Sequence, residues 1–100
     1  MAKYSYHRKD ANEPIVRAAF EALGCRYQKI NEPVDALVAI PTGDGFINVL
    51  VEIKVPKVKP RKDQQKQQDF IASWPGPIHL TRTPEEAAAV VQRYKFKRPA

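Results

Sequence analysis

The spacing of hydrophobic positions changes along the chain, and each change marks an element. Ile15, Val16, Ala19, Phe20, Ala22 and Leu23 fall on one broad face of a helical repeat, with Arg17 and Glu21 opposite. The spacing predicts a helix over 12–24, with Asp10 or Asn12 as its N-cap and Gly24 as its stop. Residues 26–30 and 35–40 read as short strands, and the cluster from Pro41 to Gly45 as the hairpin turn that follows. Residues 46–55 form the most hydrophobic stretch and read as the centre of a covered sheet. Pro56 and Pro60 hold a basic loop open. A second helix is predicted over 63–74, ended by Pro75, Gly76 and Pro77, and a short strand over 78–80. Thr83, Pro84 and Glu86 supply an N-cap, a first-turn proline and a capping-box glutamate for a last helix running to about Tyr94.

The resulting order, α-β-β-β-α-β-α, predicts an α/β fold: a mixed central sheet of about four strands flanked by helices on both faces. No internal repeat or Gly/Ser linker breaks the chain. Its 100 residues read as one domain over 11–95, between a flexible basic arm over 1–10 and a basic tail over 96–100.

Composition changes this picture little, and charge changes it more. Apolar residues at 43% and charged residues at 28% are the proportions of an ordinary soluble domain. No run is apolar enough to span a bilayer, and the first residues lack the apolar core of a signal peptide. The single cysteine, Cys25, excludes an internal disulfide and a multi-cysteine zinc site. Together these predict a cytoplasmic protein without a membrane partner. The net charge of +6 is concentrated: residues 54–66 hold Lys54, Lys57, Lys59, Arg61, Lys62 and Lys66 against Asp63 alone. Such a cluster suits nucleic-acid phosphates, and it equally suits a solvated loop.

The sharpest anomaly lies in the apolar central strand. Alternation puts Glu52 and Lys54 on one face and Val51, Ile53 and Val55 on the other. Buried charges of this kind are costly unless paired or bound to an ion. If the 35–40 strand pairs antiparallel with it, Asp35 comes beside Glu52 and Lys54. Two carboxylates and an ammonium suit Mg²⁺-assisted phosphodiester chemistry, since acid oxygens are hard ligands and a lysine can orient or deprotonate a water. They also suit a structural Glu52–Lys54 pair with Asp35 as a strand-end cap. Glu13, at the edge of the first helix's apolar face, either leans toward that site or merely favours the helix N-terminus.

Glu13, the Pro33-Val34-Asp35 step, Glu52-Ile53-Lys54 and the glutamine-rich helix resemble the PD-(D/E)XK nuclease superfamily. More closely, the chain resembles stand-alone phage-type VRR-NUC domains. Arg8-Lys9-Asp10-Ala11-Asn12-Glu13, the segment from Phe70 to Pro77 and the run from Thr83 to Ala88 carry that likeness, which covers about residues 8–92. The resemblance implies a restriction-endonuclease-like α/β/α core and a metal-dependent DNA endonuclease. Asp35, Glu52 and the Ile53 carbonyl would bind Mg²⁺ or Mn²⁺, Lys54 would serve the attacking water, and Glu13 would complete the site. The helix glutamine falls on Gln67, with Gln64, Gln65 and Gln68 as neighbouring registers. One departure is Val34, which stands between Pro33 and Asp35 where the family places proline directly before the acid.

Family members of this size resemble Holliday-junction resolvases acting as homodimers, which agrees with one site per chain and two cuts per junction. Arg8, Lys9, Lys57, Lys59, Arg61, Lys62 and Lys66 would hold the DNA. The competing expectation is a nuclease-fold module that binds DNA without cutting it. A sequence-specific restriction-like enzyme ranks below both, because so short a chain leaves little surface to read bases. Cys25, His7, His79 and the 42–45 glycine turn lack the partners of a nucleophile, zinc site or phosphate loop. Phe70 and Trp74, four apart on a helix, read as core.

Overall fold

The chain runs α1 (Arg8–Ala22), β1 (Arg26–Lys29), β2 (Ala36–Thr42), β3 (Gly45–Ile53), α2 (Gln65–Ser73), β4 (Ile78–Thr81) and α3 (Pro84–Lys95). The computed structural model describes residues 8–54 and 65–95, the first three as backbone alone. The order is the expected one, and the fold is α/β. One mixed sheet has the strand order β1-β2-β3-β4. The first three strands are antiparallel neighbours, and β4 returns parallel to β3 after the crossover that carries α2.

Strand alternation decides which side chains meet the helices. Ala36, Val38 and Ile40 of β2 lie opposite Val51, Val49 and Ile47 of β3. This face packs beneath α1 and α3, which also pack against each other. Val16 and Phe20 enter the core from α1, and Ala87, Val91 and Tyr94 from α3. Burying each large apolar side chain here contributes roughly 1.5–3 kcal/mol.

Gly24 ends α1 as expected. The Cys25 N–H donates to the Phe20 carbonyl at 3.1 Å and the Gly24 N–H to the Glu21 carbonyl at 3.0 Å. This Schellman arrangement needs the left-handed backbone that Gly24 adopts at φ +88°. Thr83 caps α3, its Oγ1 accepting from the Glu86 N–H at 3.0 Å. The reciprocal bond is displaced by one residue: Glu86 Oε1 accepts from the Arg82 N–H at 2.6 Å.

Four features differ from expectation. Helix α1 begins at Arg8, so residues 8–10 belong to it rather than to an arm, and Pro14 lies inside it. Neither Asp10 nor Asn12 is therefore an N-cap, and the Asn12 side chain is used elsewhere. The apolar face of α1 is narrower than its sequence suggests, with Ile15 and Leu23 about half exposed. Strand β2 continues through Pro41 and Thr42, leaving Gly43 and Asp44 as the turn. Proline is tolerated there because β1 pairs only as far as Ala39, so β2 is an edge strand at that end. Finally, α2 buries none of its residues. Trp74 is 46% exposed and stacks on Phe70 with ring centroids 5.1 Å apart, so this pair is not core. Among the described residues, no helix is long and apolar enough to cross a membrane.

Candidate active site

The β2–β3 register builds the centre of the site. Ala36 pairs with Val51, so Asp35, one residue before the strand, rises beside Glu52. Two hydrogen bonds cross between them. The Asp35 N–H donates to Glu52 Oε1 at 3.1 Å, and the Ile53 N–H donates to Asp35 Oδ2 at 2.7 Å. The Asp35 carbonyl accepts from the Ile30 and Asn31 N–H groups at 2.9 and 3.2 Å. Asn31 reaches this position with φ +70°, a left-handed conformation that asparagine tolerates. Asp35 is thus fixed at its N–H, its carbonyl and its carboxylate. Val34, between Pro33 and Asp35, is fully buried.

Burial makes the pair electrostatically demanding. Glu52 is 0% exposed and Asp35 7%. Two carboxylates so close and so poorly solvated carry a desolvation cost that only cations and N–H donors offset. Lys54 Nζ lies 3.7 Å from Glu52 Oε2, with its side chain 21% exposed, so it joins the buried acid to the surface. Two adjacent hard-oxygen donors of this kind fit a small divalent cation that keeps several of its waters. Ile53 is fully buried in register with Thr81, and its N–H is already bound by Asp35.

Glu13 comes from α1 on the line of Val16 and Phe20 and is buried. Its Oε2 accepts from the Tyr27 hydroxyl at 2.6 Å, and Lys29 Nζ lies 3.1 Å from its Oε1. Burial, then the bond to Glu13 and the charges of Glu13 and Asp35, push the Tyr27 hydroxyl far above the ordinary tyrosine range, against the lowering effect of Arg17. The Arg17 guanidinium sits 5.1 Å from the centre of the Tyr27 ring. Among the described residues, no three His, Cys, Asp or Glu side chains converge where one ion would sit. Asp35 and Glu52 are therefore a pair, with Glu13 held nearby by Tyr27 and Lys29.

No family model, no curated protein and no solved structure matches this chain.

The remaining sequence candidates divide by position. Of the glutamines, Gln65 is tied along the helix to Asp69 at 2.8 Å. Gln67 buries its Oε1 without a hydrogen-bond partner among the described residues, which singles it out from Gln65. Gln64 lies outside the described residues. Lys66 is exposed on α2. Arg8 and Lys9 lie in the first turn of α1, their side chains outside the described residues, and Lys57, Lys59, Arg61 and Lys62 lie wholly outside them.

Three residues at the site were not anticipated from the sequence. Tyr27 and Lys29, two apart on β1, share the side of the strand that meets Glu13, a spacing visible in the sequence only once β1 is set against α1. The third is Asn12. Its Nδ2 donates to the Lys54 and Arg82 carbonyls, both at 2.9 Å. A separate cavity of about 440 Å³, between Leu23, Pro41, Val91 and Gln92, contains no acid.

Proposed function

We propose that this protein is a metal-dependent, structure-selective DNA endonuclease of the VRR-NUC kind, hydrolysing phosphodiester bonds in branched DNA as a homodimer. The observation that carries this reading is the crossed Asp35–Glu52 pair, buried and preorganised, with Lys54 within ion-pair distance. Asp35 and Glu52 would hold Mg²⁺ or Mn²⁺. When bound, such an ion supplies Lewis-acid polarisation of a phosphoryl oxygen and eases deprotonation of water. Lys54 Nζ orients the attacking water, whose oxygen joins phosphorus as the bond to the leaving sugar oxygen breaks. Gln67 Oε1 is buried without a hydrogen-bond partner among the described residues, which favours it as the helix glutamine.

Lys57, Lys59, Arg61, Lys62 and Lys66 directly follow the acidic strand in sequence and would hold phosphates beside the ion, with Arg8 and Lys9 extending the contact. One site per chain makes a two-fold dimer the simplest assembly for paired cuts. The setting would be the cytoplasm of a bacterial or phage-infected cell, where a lone thiol stays reduced.

A second reading, a DNA-binding module of the same fold that does not cut, is favoured by one observation. Both oxygens of Glu13 are already engaged, so among the described residues no third acid joins the pair. Incubation with a labelled four-way junction and a matched linear duplex, in Mg²⁺, Mn²⁺ or EDTA, separates the two. Paired nicks in the junction that vanish in EDTA and in Glu52→Ala support the nuclease. Salt-dependent binding without cleavage in either metal establishes the module.

A further inference from the structure

Asn12 is the only side chain described that ties α1 to the ends of both parallel strands. Its amide nitrogen carries two hydrogens. One goes to the Lys54 carbonyl and the other to the Arg82 carbonyl, each at 2.9 Å. These carbonyls belong to the residues immediately after β3 and β4, where the parallel ladder stops at Ile53 and Thr81. Among the described residues, one backbone bond continues past that point, from the Lys54 N–H to the Thr81 carbonyl at 3.0 Å. Without a further tether, a strand end held by one bond frays, and here the fraying residue is Lys54.

Asparagine suits this place for a specific reason. A serine offers one hydrogen for two acceptors, and an aspartate offers none and turns its charge toward two carbonyl oxygens. Asn12 also directly precedes Glu13, so a single turn of helix holds the acid against β1 and the Glu52–Lys54 strand end beside β4.

We infer that Asn12 is a positioning residue for the Glu52–Lys54 strand end, holding the Lys54 backbone so that its ammonium stays over Glu52. The catalytic consequence of this role rests on the nuclease reading, whereas the clamp itself does not. Asn12 touches neither the ion nor the phosphate and acts through Lys54.

The test combines amide hydrogen exchange with single-turnover cleavage of a four-way junction by the full chain. The variants are Asn12→Asp, which keeps the shape and removes both donors, and Asn12→Ala, which removes them without adding charge. In both, protection of the Lys54 amide should fall while the mid-ladder amides of Val49 and Val51 keep theirs. The cleavage step should slow by about ten- to a hundredfold, the range seen when a supporting partner of a metal-site residue is lost. Affinity for the junction should be unchanged, a split that general loosening of the fold does not produce. If Asn12→Asp fails to fold, Asn12→Gln keeps both donors on an arm one methylene longer and should give an intermediate loss in both readouts. Wild-type exchange at Lys54 in Asn12→Ala overturns the clamp, and a wild-type cleavage rate in that variant overturns its effect on chemistry. A wild-type protein that cuts no DNA overturns the nuclease reading instead, and Lys54 exchange then decides the role of Asn12 on its own.

Discussion

The Tyr27 hydroxyl and the Glu13 carboxylate meet at 2.6 Å on the helix-covered side of the sheet, joining the first strand to the first helix. With Lys29 at 3.1 Å from the other oxygen, this contact lets an acid occupy the apolar face of α1 beside Val16 and Phe20.

Tyr27→Phe removes that donor and leaves Glu13 buried with less support. The expected loss is about 1.5–3 kcal/mol, the usual worth of a hydrogen bond to a charged group, read from urea unfolding. The variant also changes the alkaline response. The Tyr27 pKa is raised in the folded state, so its contribution to stability is complete below the ordinary value and declines as pH climbs past about 10. Wild-type stability should fall more steeply there than that of Tyr27→Phe. Parallel slopes would refute the buried phenol.

His79 gives a pH dependence on the acid side. Burial, then the charge of Arg93, lowers its pKa, and its Nε2 lies 2.7 Å from the Tyr94 hydroxyl. The unfolded chain takes up a proton near pH 6.5 and the folded chain only at lower pH. Stability contributed by neutral His79 is therefore full above the ordinary value and is lost as pH falls through it. Thermal melts across this range should show the decline in wild type and a flatter profile in His79→Gln.

Asp35→Asn and Glu52→Gln test the acid pair directly. Cleavage should fall on the order of a thousandfold or more, with junction binding retained. Metal binding is measurable without DNA. A ligand that binds only the folded chain adds about 2.7 kcal/mol at a hundredfold excess over its Kd, so Mg²⁺ or Mn²⁺ should raise the wild-type Tm. Neither variant should show that rise. A Tm indifferent to both metals in wild type would remove the metal site.

Gly24→Ala isolates the left-handed turn after α1. The added Cβ would meet Pro41 Cγ at 3.5 Å, an ordinary contact, so the cost comes from the backbone at φ +88°. That cost is roughly 1–2 kcal/mol, visible as a lower urea midpoint with an unchanged slope. A neutral substitution would mean that the loop relaxes.

Much of the fold was legible because its rules are local. Val51 to Lys54 alternates, the glycine at 24 ends a helix, and Thr83 with Pro84 starts one. The Asp35–Glu52 meeting was also legible, since an antiparallel hairpin must bring the start of one strand to the end of the next. What escaped was set by partners far along the chain. Asn12 looks like a cap until β3 and β4 offer it two carbonyls. Tyr27 and Lys29 look like ordinary strand residues until α1 lowers an acid onto them. Trp74 was misread because helical spacing shows that two aromatic rings meet, and says nothing of what covers them.

The order of chain closure follows from the parallel joint. Strands β1, β2 and β3 pair through neighbouring segments, so Asp35 and Glu52 approach each other while those hairpins close. The Asn12–Arg82 bond spans 70 positions, and it forms only after β4 has docked beside β3. Closing long loops is entropically late and slow. By sequence separation alone, the pairing that joins the two acids is local, and the contact that completes the clamp on the lysine beside them is a distant one.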